Sequence, residues 1–212
     1  MKKKTLTIAI ALVLVVALAV GATWAYLKTS TTAVTNTFTV GKVLDNDEGL
    51  TLKEHAIDTA KSNTSAGKYV LSDTNYANGG NQYDAVMPGV DLPKDPTVAV
   101  TGLKADAYLF VVVDNNLANG LSVSYDAKWA TLKESGTKTL LVYKTANQNI
   151  LKGDVADANI LANNTVTVDN NIGSGSQGSI VFNAYLVQAG GFNSAAEAWD
   201  ASFAATTGIT AA

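Results

Sequence analysis

Tyr108-Leu109-Phe110-Val111-Val112-Val113 is the stretch on which the fold turns. Six apolar residues in a row leave no polar face, so the segment reads as a central strand covered on both sides. Residues 179–188, Ser-Ile-Val-Phe-Asn-Ala-Tyr-Leu-Val-Gln, read as a second long strand of the same kind. Shorter segments with period-two alternation surround them: 33–40, 50–52, 97–101, 121–125 with Trp129 continuing the inward face, 139–143, and Val166 with Val168.

Turn signals separate these runs. Gly41 marks a bulge or kink. Pro88, Pro93 and Pro96 bound a turn and the entry to an edge strand, because proline lacks the ladder donor. Asp114-Asn115-Asn116 is expected to turn the central strand, and Glu134-Ser135-Gly136 to close a hairpin. Residues 75–82 and 173–178 read as loops by their Asn, Gly and Ser content. Two weakly patterned stretches, 53–61 and 154–161, are each expected to hold a short helical turn. Ser194-Ala195-Ala196-Glu197 is a capping box, and Trp199 and Phe203 follow on one face of a helix expected to end near Ala205. Many short strands with small helices at the ends predict a mainly β fold, an antiparallel jelly-roll-like sandwich.

Lys2, Lys3 and Lys4 precede an uncharged run over residues 5–27, which ends in Thr23-Trp24-Ala25. Basic, apolar and then small residues read as a secretory signal cleaved after Ala25, leaving Tyr26 first. The competing reading is a retained anchor, since about 20 apolar residues span a bilayer. Cleavage is the expectation, with membrane contact only before it. The chain then divides into a signal peptide (1–25), an N-terminal strand segment (26–40) and a β-sandwich domain (41–212). Val34, Phe38 and Val40 point one way along that segment and threonines the other.

The expected mature chain keeps 12 lysines against 18 acids and has no arginine and no cysteine. An acidic chain without guanidinium forks is a poor reader of nucleic acid or phosphate. No disulfide, thiolate metal site or cysteine nucleophile is possible.

The chemical motifs are incomplete. His55 is the single histidine, and Lys53-Glu54-His55-Ala56-Ile57 lacks the second histidine of a zinc-protease helix. Residues 45–49 place glycine fifth where a calcium loop needs it sixth, and Ala56 stands where the closing carboxylate belongs. Asp154 with Asp157 is a weaker pair. The glycines of 173–178 precede a strand and carry no lysine, unlike a phosphate loop. Asn63 and Asn163 begin glycosylation sequons. The chain is therefore expected to be no enzyme and to need no metal or cofactor.

Gly21-Ala-Thr-Trp-Ala-Tyr26, then Thr35-Asn-Thr-Phe-Thr-Val-Gly-Lys-Val43, resembles the signal and early mature region of the TasA/camelysin family. Residues 87–100 and 107–111 resemble that family's central strands, and 183–188 with 191–199 its closing strand and helix. The resemblance implies export through a dedicated SipW-type signal peptidase. It also implies a jelly-roll subunit that assembles head to tail into extracellular biofilm-matrix fibres. The mature N-terminal strand, with Val34, Phe38 and Val40, would be donated to the neighbouring copy. The alternative is a monomeric surface adhesin or glycan-binding sandwich. An envelope metalloprotease, a label carried by camelysin members, lacks a zinc motif here.

Overall fold

The computed structural model describes residues 28–30, 43–44, 49–173 and 178–212. In chain order the strands are β1 (Lys28–Ser30), β2 (Leu50–Lys53), β3 (His55–Ile57), β4 (Leu71–Tyr76), β5 (Leu92–Pro93), β6 (Thr97–Val100) and β7 (Ala107–Asn116). Then come β8 (Leu121–Ser122), β9 (Trp129–Ser135), β10 (Lys138–Tyr143), β11 (Ile150–Leu151), β12 (Val155–Asn159), β13 (Thr165–Val168) and β14 (Ser179–Gln188). Two helices close the chain, α1 (Ala195–Ser202) and α2 (Ala204–Thr207). The fold is mainly β, and every strand pair among the described residues is antiparallel.

β7 organises everything else. It pairs with β14 over ten residues on one side and with β10 on the other, in a sheet ordered β1-β14-β7-β10-β9. Because side chains alternate across a strand, β7 feeds two cores. Ala107, Leu109, Val111 and Val113 enter one with Phe182, Ala184 and Leu186 of β14, beneath Leu50, Val98, Val100 and Ala158 of the sheet β12-β6-β2. Tyr108, Phe110 and Val112 enter the other, against Trp199, Phe203 and Ile209. The layers are thus helix, sheet and sheet.

The long apolar strands fall where expected, and β5 with Pro93 is an edge strand. Other expectations need correction. Asp114-Asn115-Asn116 stays in β7, because Asn116 pairs with Ser179 and Asp114 accepts from the hydroxyl of Thr137 at 2.7 Å. Residues 53–61 form no helix. His55 and Ile57 pair with Tyr76 and Leu71, and the Asp58 carboxylate takes the N–H groups of Ala60 and Lys61 to make a turn. Asn75 and Tyr76, expected in a loop, belong to β4.

The expected helical turn at 154–161 is β12. Val155 pairs with Val100 and Ala158 with Val98, so one extra residue is bulged out, and Asp157 has φ 25°. That bulge spaces the two core residues three apart, which imitates a helix. The strand expected at 121–125 stops at Ser122. A turn in which Lys128 N–H donates to Asp126 sends Trp129 into β9 instead. The helix expected to end near Ala205 breaks at Phe203 (φ −134°), and it packs across the outer face of the main sheet rather than at its end. Its capping box forms, with Glu197 N–H donating to the Ser194 hydroxyl at 3.1 Å.

Candidate functional site

β14 has one fully paired flank and one that is only partly covered. Facing away from β7 it meets β1, where Lys28, Thr29 and Ser30 lie opposite Val187, Leu186 and Tyr185. Among the described residues no strand pairs with positions 179–183 on that side. Val181 is 42% exposed there. Unpaired N–H and C=O groups on an edge are a template for another strand.

Beneath this edge is a cavity of about 120 Å³ lined by Leu52, Glu54, Gly79, Lys94, Ile180 and Phe182, among others. Lys94 is carried between β5 and β6, where its backbone N–H donates to the Asn164 carbonyl at 2.7 Å. Its ammonium lies 2.7 Å from Glu54 Oε2, and the two side chains are only 8% and 10% exposed. The ammonium also stands 5.7 Å from the centre of the Phe182 ring. A buried pair of this kind is held only where its remaining hydrogen bonds are met. On the Glu54 side Asn81 meets them: its Nδ2 donates to Glu54 Oε1 at 2.5 Å and to the His55 carbonyl at 2.7 Å. Asn81 Oδ1 in turn accepts the Ile57 N–H at 2.9 Å.

His55 sits on the other side of this cluster. Its Nδ1 is 2.6 Å from Asp95 Oδ2, its backbone N–H donates to Asp95 Oδ1 at 2.9 Å, and its ring stacks on Tyr76 at 4.7 Å. The Lys53 ammonium lies over the ring of the same tyrosine, 4.7 Å from its centre. Nearby, Tyr83 donates to the Pro93 carbonyl. Burial, with the carboxylates of Glu54 and Asp95, pushes its phenol well above the usual tyrosine range.

The expected cleavage residues Ala25 and Tyr26, and the expected donor residues Val34, Phe38 and Val40, lie outside the described residues, as do 45–48 of the imperfect calcium loop. Among the described residues no group of three histidine, cysteine or acidic side chains is placed to hold a metal. Asp154 accepts the Leu103 N–H at 2.8 Å, a bond that with the Gly102 N–H holds its carboxyl below the usual range. Of the sequon residues, Asn63 precedes the 3-10 turn Thr64–Ala66, and Asn163 lies inside the 3-10 turn Ala162–Asn164 with φ 56°. Among the described residues no helix is long and apolar enough to cross a membrane.

Glu54, Lys94 and Asn81 were not singled out by sequence. Lys94 read as part of a proline turn and Asn81 as loop, and their partners lie 40 and 27 positions away. Only a lysine locked between Pro93 and Asp95-Pro96 hinted at a fixed, sheltered cation. Compared with known proteins, the chain matches no family model, no curated protein and no solved structure.

Proposed function

We propose that the chain is an exported structural subunit that polymerises head to tail into extracellular matrix fibres. The segment 26–40 of one copy adds as a strand to the partly covered flank of β14 in the next. Jelly-roll-like closure of the β-sandwich is part of the same reading, as is removal of residues 1–25 by a dedicated signal peptidase. The observation that supports it is the position of β1. A segment starting two residues past Tyr26 already lies antiparallel on that flank, yet it covers only three of β14's ten residues.

Main-chain hydrogen bonds give such an addition its affinity, and alternate side chains give its specificity. Because donor and acceptor are different surfaces of one chain, the contact is heterologous and propagates as a filament. The test compares purified residues 26–212 with the same protein lacking 26–37, by circular dichroism and negative-stain microscopy. The full mature form is expected to make filaments, and the truncated one to stay a folded monomer. Filaments from the truncated form would rule out strand donation.

A further inference from the structure

We propose that Lys94 and Asn81 join side chain to side chain in an amide bond, formed by the chain itself with Glu54 as proton carrier. The geometry gathers nucleophile, leaving nitrogen and proton carrier around one carboxylate. Glu54 holds the would-be nucleophile on one carboxylate oxygen, at 2.7 Å, and the would-be leaving nitrogen on the other, at 2.5 Å. Asn81 cannot be turned over in its site. Its oxygen faces the Ile57 N–H, and its nitrogen faces both the His55 carbonyl and Glu54. The Ile57 N–H therefore polarises the amide carbonyl and is placed to stabilise negative charge on Oδ1, as a donor in an oxyanion hole does.

Lys94 is nine-tenths buried, beside Phe182 and above Leu52 and Ile180 in the cavity wall. A lysine amine sheltered from water in apolar surroundings, next to a base, is the arrangement that activates lysine as a nucleophile. Holding both reactants on one carboxylate removes most of the entropic cost of their meeting.

The steps balance without any further reagent. Glu54 takes a proton from the Lys94 ammonium, leaving a free amine. The Nζ lone pair then forms a bond to Asn81 Cγ, and the carbonyl electrons move onto Oδ1. A second Nζ proton passes by way of Glu54 to Nδ2. The carbonyl re-forms, the Cγ–Nδ2 bond breaks, and ammonia leaves. A buried ion pair is thereby replaced by a neutral amide and a neutral carboxylic acid, which removes the cost of keeping two charges out of water. The bond would fasten the loop 82–93 to the floor beneath the β14 edge.

Mass spectrometry of the denatured, trypsin-digested protein tests this. Lys68, Lys94 and Lys104 bound the region, so Asn81 and Lys94 share the peptide 69–104 once cleavage after Lys94 is blocked. That peptide is expected uncut and about 17 Da, one ammonia, below its sequence mass. Lys94→Arg and Glu54→Gln are each expected to restore the full mass. Ordinary cleavage after Lys94, with both fragments at full mass, would show a plain ion pair and overturn the proposal. A mass deficit that persists in Lys94→Arg would also overturn it, since ring closure at Asn78-Gly79 loses ammonia too. The digest of the unaltered chain decides the matter even where a variant fails to fold.

Discussion

The indole N–H of Trp199 donates to the carbonyl of Ile209 at 2.8 Å within the second core. Both residues are essentially inaccessible to solvent. The bond sits under a strap, because the N–H groups of Ala211 and Ala212 donate to the Asp200 carboxylate at 2.6 and 3.1 Å. Trp199 also packs on Phe110, Tyr185 and Phe203. Trp199→Ala is expected to cost about 3–5 kcal/mol, because it opens a large cavity and orphans a buried carbonyl. Urea denaturation of the two proteins measures it.

Asp95 anchors β3 through two bonds, to the backbone N–H and to the ring of His55. Asp95→Ala is expected to destabilise the fold by about 1–3 kcal/mol, since a partly buried donor loses its acceptor. His55→Phe keeps a ring on Tyr76 and the backbone bond to Asp95, so its cost should be the smaller of the two. Thermal denaturation of both variants separates stacking from hydrogen bonding.

Acid should weaken the protein through its capped turns. Backbone N–H groups of Leu103 and Gly102 hold Asp154 below its ordinary value of 3.8, and Lys61 and Ala60 do so for Asp58 against an opposing desolvation effect. A carboxylate with a depressed folded-state pKa contributes stability above its unfolded pKa. It loses that contribution as pH falls through the folded value. The unfolding midpoint is therefore expected to drop progressively below about pH 4. Asp154→Ala should flatten that decline, and urea titrations between neutral and acid pH would reveal it.

Val181 belongs to the stretch of β14 whose flank is only partly covered, and its side chain is exposed on the face opposite to Phe182, beside its pair partner Asp114 of β7. Val181→Lys is expected to change monomer stability by no more than about 0.5 kcal/mol, as an exposed substitution does. A lysine on a sheet edge discourages strand addition. Sedimentation of the variant should show slower or absent growth of filaments, with circular dichroism unchanged.

The two long strands were legible because burial on both faces demands uninterrupted apolar sequence, as at 108–113. The helix was legible because its cap, Ser194, and its buried residues lie within one short window. β3, β4 and β12 were not. β4 exposes most of its residues, so it has no hydrophobic alternation to read, and the bulge at Asp157 disguises the period of β12. The helix layer was misplaced because local pattern shows that Trp199 and Phe203 are inward, but not which surface they cover. The Glu54–Lys94–Asn81 cluster was invisible for a related reason. Its members are polar and far apart in sequence; the pairing of β2 with β6 brings Glu54 to Lys94, and that of β3 with β4 brings in Asn81.

The pairing of residues 28–30 with 185–187 joins the first described residues to the last strand of the chain. Synthesis makes these partners at opposite ends of its schedule, so β1 waits while the whole intervening domain is built. Closing so long a loop is among the slowest contacts to form. Each newborn molecule therefore passes through an interval in which its own first strand has not yet claimed its place on β14. Under the proposed strand exchange, the ratio of that interval to the encounter time between molecules would set how concentrated the population must be before chains link instead of closing on themselves.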